Sequence, residues 1–153
     1  MARLQDKSVL LYDGVSAPTI EVQEGSSSGS YLIGDLVKFD ASGQIILATN
    51  GIIAGIACMD YTNSAGSATD VQFMELINYN ALYLMCNTSN ADQVDVGECA
   101  AINFAAGGQH IAEATLVAGE VHIVGIYPGD VGVDGGRNIV RFSTFDITMV
   151  AST

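Results

Sequence analysis

Gly34-Asp35-Leu36-Val37-Lys38-Phe39-Asp40-Ala41-Ser42-Gly43-Gln44-Ile45-Ile46-Leu47-Ala48 decides the fold class. Leu36 and Lys38 alternate against Val37 and Phe39, the two-residue period of a strand. Ala41-Ser42-Gly43 has the composition of a turn, and the run Gln44 to Ala48 returns as a second strand, so the stretch reads as a β-hairpin. Asn50-Gly51 follows, a dipeptide in which both residues tolerate positive φ, and marks the next turn. It leads into Ile52-Ile53-Ala54-Gly55-Ile56-Ala57, read as a buried strand whose Gly55 permits a bulge or a close backbone approach.

The same punctuation continues outward. Residues 62–67 read as loop, and strands are expected at 71–77, 81–86, 98–104, 109–114, 120–127 and 138–148. Val71, Met74, Ile77, Leu82 and Met85 could share a helical face, but Asn78-Tyr79-Asn80 interrupts them and helix caps are missing. Short strands between Gly, Asn and Asp clusters indicate an all-β chain, either a barrel or a sandwich. Residues 1–29 read differently, as an N-terminal arm. Val9, Leu10, Leu11 and Tyr12 form its apolar partner-contact segment, Pro18 interrupts it, and Gly25-Ser26-Ser27-Ser28-Gly29-Ser30 is a flexible hinge. Residues 30–153 then make the β domain.

That domain contains a weak internal repeat. Ile33-Gly34-Asp35 recurs as Val96-Gly97-Glu98, Ala54-Gly55-Ile56 as Val124-Gly125-Ile126, and Val71-Gln72-Phe73 as Val140-Arg141-Phe142, at offsets of 63, 70 and 69 residues. Two related β-meander units are expected, at about 30–77 and 78–150, packed so that each buries what it cannot bury alone.

Composition bounds the function. Of 153 residues 49 % are hydrophobic and only 14 % are charged, against a usual ~25 %. Seventeen acids face five basic residues, for a net charge of −12 and a pI near 4.1. No Lys or Arg occurs in the 98 residues from Phe39 to Gly136, which hold 11 acids. Nucleic acid and anionic membranes are therefore excluded as partners, because both demand clustered cations. Disorder is excluded by a mean hydropathy of +0.35. A neutral surface of Ser, Thr, Asn, Gly and Ala instead suggests faces hidden against other subunits. The N-terminus carries only Val9-Leu10-Leu11 as an apolar run, so neither a secretory signal nor a membrane span is read and synthesis in a cytosol is expected.

Catalytic patterns are sparse, and no cofactor is expected. Cys58, Cys86 and Cys99 are an odd set without a C-x-x-C pair and read as small buried thiols. His110 and His122 fall inside expected strands and read as strand-filling residues; neither metalloprotease spacing nor a nucleophile elbow occurs. Asp92, Asp95 and Glu98 read as solvated charge at a strand start. Gly129-Asp130-Val131-Gly132-Val133-Asp134-Gly135-Gly136 is the one run suggestive of calcium. Its two acids are four apart with valines between, so a Gly-rich turn is the stronger reading. Asn87-Thr88-Ser89 matches a glycosylation triplet that has no meaning without a secretory route.

Two portions of the chain carry a family resemblance. Residues 34–43, followed by Ile53-Ala54-Gly55-Ile56-Ala57, resemble the "G-D-x-V … G … I-x-G-V-A" pattern of bacteriophage capsid decoration (cement) proteins. Val94-Asp95-Val96-Gly97-Glu98, residues 121–127 and Asn138-Ile139-Val140-Arg141-Phe142 resemble the carboxy-terminal half of small structural proteins encoded beside phage major capsid genes. The resemblance covers most of residues 30–145. It implies a non-enzymatic β-rich protein on the outer capsid surface of the virion, often a homotrimer, that clamps neighbouring subunits of the major capsid protein. The chain departs from the pattern in lacking basic residues for an acidic shell. Another phage structural module (a head fibre base, tail tube subunit or receptor-binding piece) is the alternative. A small trimeric β enzyme of the dUTPase kind is disfavoured, because no G-R-S motif or A-G-Y-D signature is present.

Overall fold

The computed structural model describes residues 9–15, 18–23, 30–48, 53–61, 71–104, 110–112 and 120–143. The strands are β1 (Leu10–Asp13), β2 (Thr19–Gln23), β3 (Leu36–Phe39), β4 (Ile45–Leu47), β5 (Gly55–Ala57), β6 (Val71–Leu76), β7 (Leu82–Cys86), β8 (Cys99–Asn103), β9 (His110–Ala112), β10 (Val121–Ile126) and β11 (Arg137–Phe142). They form two antiparallel sheets, ordered β2-β6-β5-β3-β4 and β1-β7-β11-β10-β8-β9. Of the two expected architectures the chain adopts an open sandwich, not a closed barrel. Among the described residues no helix is long and apolar enough to cross a membrane.

The hairpin forms where its sequence places it, with Val37 opposite Leu47 and Phe39 opposite Ile45. Asp40 closes the turn, its Oδ1 accepting the Ser42 and Gln44 N–H groups at 2.8 and 2.9 Å. The ambiguous segment is two strands. Asn78 Oδ1 accepts the Asn80 N–H at 3.0 Å, and the Tyr83 hydroxyl accepts the Asn78 N–H at 3.0 Å, locking the turn between β6 and β7. The expected strand at 52–57 is trimmed to Gly55–Ala57, and of the expected strand at 109–114 only His110–Ala112, as β9, lies among the described residues. The expected extension of the last strand to 148 lies outside the described residues, as do Asn50-Gly51, the 62–67 loop and the hinge at 25–29.

The repeat is present in strand order and in hydrogen bonds. β2-β6-β5-β3-β4 corresponds member by member to β7-β11-β10-β8-β9, and β1 is an addition at the β7 edge. Gly34 and Gly97 both hold positive φ, at 88° and 98°, which a Cβ would oppose. Gly34 N–H donates to Ala57 O at 2.9 Å and Gly97 N–H to Ile123 O at 2.8 Å; Ala57 N–H and Ile123 N–H donate back to Asp35 O and Glu98 O. Of the three sequence matches, however, only this first one is in register. Leu36 pairs with Ile56 and Gly55 with Leu76, whereas Cys99 pairs with His122 and Val121 with Phe142. Equivalent residues are thus 63 apart before the hairpin turn (Leu36, Cys99) and 66 apart after it (Gly55, Val121). Gly55 is the counterpart of Val121, not of Gly125, and Val140-Arg141-Phe142 matches Met74-Glu75-Leu76.

Correct register shows how the units stack. In the second sheet Ala100, Val121, Ile123 and Val140 are buried in the main core together with Tyr83 and Phe142, whose rings meet edge-on at 5.2 Å. Their counterparts Val37, Ala57 and Met74 line a separate, smaller core capped by Tyr31 and Tyr61. The first sheet turns its opposite face, through Leu36 and Ile56, to the main core. The two units therefore pack front to back rather than face to face. This explains why Leu36 and Val37, expected to alternate between core and solvent, are both fully buried. Each such Leu or Ile contributes about 1.5–3 kcal/mol by leaving water. Among the described residues no sheet covers the corresponding outer face of the second unit, and there Cys99 and His122 replace Leu36 and Ile56.

Candidate interaction surface

The segment expected to contact a partner forms an edge strand. Residues 10–13 pair with β7, Leu10 opposite Leu84 and Leu11 opposite Tyr83, and among the described residues no strand lies on the opposite side of β1. Residues 19–23 form the other sheet's edge beside β6. A boundary at residue 29 thus does not divide paired from unpaired chain. Val9 is buried, and its N–H donates to Gly34 O at 2.9 Å, which ties the start of β1 to the first sheet. Leu10, Leu11 and Tyr12 are 41 %, 39 % and 41 % exposed. An apolar strand at the edge of a sheet is a template for a further strand, because an edge presents backbone N–H and C=O groups to whatever lies beside it.

A bracing stack fixes the end of that edge. The Tyr12 ring meets Tyr127 edge-on at 6.1 Å, and the Arg137 guanidinium lies 4.0 Å over the Tyr127 ring. Arg137 Nε donates to Asp130 Oδ2 at 2.8 Å, and the Arg137 backbone N–H donates to the same oxygen at 2.9 Å. The Asp130 carboxylate in turn holds the Arg137 pKa above its ordinary value. The run 129–136 is therefore a Gly-rich turn whose first acid is engaged by an arginine. Asp134 is exposed and bridges to Asn90. Among the described residues no group of three or more His, Cys, Asp or Glu is placed to hold a metal ion.

Behind β1 runs a groove of about 250 Å³ lined by Val9, Leu10, Leu11, Ile33, Gly34, Ile56, Ala57, Cys58 and Glu75. Burial pushes both the Glu75 carboxyl and the Cys58 thiol above their ordinary pKa values. Asp35, at the start of β3, is raised by burial as well, partly offset by the Leu32 N–H it accepts at 2.9 Å.

Several sequence readings change here. Asp95 is buried rather than solvated, its Oδ2 accepting the Asp92 N–H at 3.2 Å in a short 3-10 turn over Gln93–Asp95. Asn87 of the glycosylation triplet is buried, donating from Nδ2 to Asn138 Oδ1 at 3.2 Å. Of the three thiols only Cys86 is buried; Cys58 and Cys99 are half-buried. His122 does not fill the core but stands exposed on the outer face, its Nδ1 3.0 Å from Cys99 Sγ. His110 lies in β9. The Cys99–His122 pair was not readable in the repeat, because the sequence match set Ile56 against Ile126, whereas the strand pairing sets the Leu36–Ile56 pair against Cys99–His122.

No family model matches this chain, and no curated protein matches it.

Proposed function

We propose that this chain is a bacteriophage capsid decoration protein, a structural component that binds the outer surface of an assembled head and clamps neighbouring major capsid subunits. The observation that carries the reading is the exposed apolar edge β1, braced by Tyr127 and Arg137 on a two-sheet body. Strand addition at that edge supplies affinity through main-chain hydrogen bonds and specificity through Leu10, Leu11 and Tyr12. A protein that binds only the assembled lattice stabilises it by linkage, with no chemistry required. A closed trimer suits sites of local threefold symmetry and occupies the neutral surface implied by a 14 % charged composition. Three copies at −12 each carry −36, which keeps unbound trimers soluble and apart.

The test is co-sedimentation of the chain with shells of its phage's major capsid protein, run beside the unassembled capsid protein. Binding to shells alone is expected. Equal binding to both, or to neither, overturns the reading; association with tails or fibres instead moves the chain to another structural module of the virion.

A further inference from the structure

The open outer face of the second sheet carries a row of side chains across three adjacent strands. Cys99 on β8 stands directly opposite His122 on β10, which stands directly opposite Arg141 on β11. Cys99 Sγ is 3.0 Å from His122 Nδ1; the thiol is half-buried, and the imidazole and Arg141 are exposed. The equivalent row of the first unit is Leu36, Ile56 and Glu75, so this polar row belongs to the second unit alone. Among the described residues the other charged groups near it in the chain are Glu98, next to Cys99, and Glu120, whose carboxylate accepts the Ile102 N–H at 3.0 Å.

We propose that Cys99 is a nucleophilic thiol site, with His122 as its proton acceptor, that takes small disulfides and favours anionic ones through Arg141. A thiol reacts through its thiolate, and a base within hydrogen-bond reach supplies that form at the moment of attack. In the exchange the Cys99 proton passes to His122 Nδ1 and Sγ attacks one sulfur of the disulfide. The Sγ–S bond forms as the S–S bond breaks, and the leaving thiolate departs or recovers the proton from His122. Cys99 is oxidised and the incoming disulfide is reduced, so no further oxidant enters. The other two thiols lack this arrangement: Cys86 is buried, and Cys58 donates weakly to Ile56 O at 3.8 Å with its pKa raised by burial. Four strand spacings, about 19 Å, separate Cys99 on β8 from β1, and two, about 10 Å, separate Arg141 on β11 from it, so the thiol is distinct from the edge proposed to bind the capsid.

The experiment uses the native full chain and 5,5′-dithiobis(2-nitrobenzoate), following the released aromatic thiolate by absorbance and the modified cysteine by peptide mass. Cys99 is expected to react first, at least about tenfold faster than Cys58, with Cys86 reacting only on unfolding. H122F is expected to slow Cys99 at least about tenfold while leaving the Cys58 rate unchanged. R141Q is expected to slow the anionic probe and not neutral hydroxyethyl disulfide. Should Cys86 become reactive in H122F, the fold is lost, and H122Q replaces it in the comparison. Equal rates at Cys58 and Cys99, or an unchanged Cys99 rate without the imidazole, overturn the proposal.

Discussion

Replacing Gly55 by alanine places a methyl group where the neighbouring strand already is. The added Cβ falls against the Glu75 carbonyl oxygen of β6 and lies 2.5 Å from Met74 Cγ and 2.9 Å from Met74 Sδ. Met74 is fully buried in the smaller core, and Gly55 is paired with Leu76 in the ladder, so relief requires moving β5 away from β6. Because the obstacle is main chain rather than a flexible side-chain end, the cost belongs at the top of the overpacking range, about 3 kcal/mol. For a domain of this size that lowers the melting temperature by roughly 6–12 °C. Gly125 provides the control. It sits in a sequence context so similar that the two glycines align, yet a Cβ there meets nothing closer than Ile139 Cδ1 at 3.6 Å. G125A is therefore expected to stay within about 1 kcal/mol of the parent. Paired urea and thermal denaturation of the two variants checks this. Midpoints that coincide for G55A and G125A would falsify both the register of β5 against β6 and the assignment of Gly55 to Val121.

Other substitutions probe other layers. D130A removes the carboxylate that accepts both the Arg137 backbone N–H and its guanidinium, and is expected to cost about 1–3 kcal/mol in urea titration. Added calcium or a chelator should leave the parent's melting temperature unchanged, since Arg137 already engages the Asp130 carboxylate. E75Q should melt higher than the parent at neutral pH. The fold raises the Glu75 pKa by desolvation, so between the ordinary and the raised value the native state holds more protons than the unfolded one and stability falls as pH rises. That advantage should vanish below the ordinary value of 4.5, where both states are protonated; an advantage persisting there contradicts the assignment. Lysines at Leu10 and Tyr12 should leave the fold intact by circular dichroism and abolish co-sedimentation with shells, because a charged edge refuses a further strand. Light scattering at micromolar concentration should return the mass of a trimer; a monomer mass removes the argument from neutral surface.

The hairpin at 34–48 was legible because it is local: alternation sets the faces, and Asp40 closes its own turn. The break between β6 and β7 was legible for the same reason, through Asn78. The first repeat motif was legible because Gly34 and Gly97 answer an identical backbone demand, a positive φ before a strand. The other two motifs were not, because the small residue at Gly55 is dictated by the approach of β6, a contact between strands that sequence similarity does not register. Front-to-back stacking was equally hidden. It makes Leu36 and Val37 both core, and on the second unit it puts the half-buried Cys99 and the exposed His122 where the first has Leu36 and Ile56. Asp95 misled for a related reason, since a carboxylate that satisfies a backbone N–H in a tight turn can be buried while its sequence context still reads as loop.

The most direct test of the proposed docking mode is amide hydrogen exchange on the chain free and bound to assembled capsid shells. Those amides of Leu10–Asp13 that face away from β7, on the edge of the second sheet, are expected to become protected on the shell. A shell-bound chain in which β1 exchanges as fast as in the free protein, with protection on another face, would contradict it.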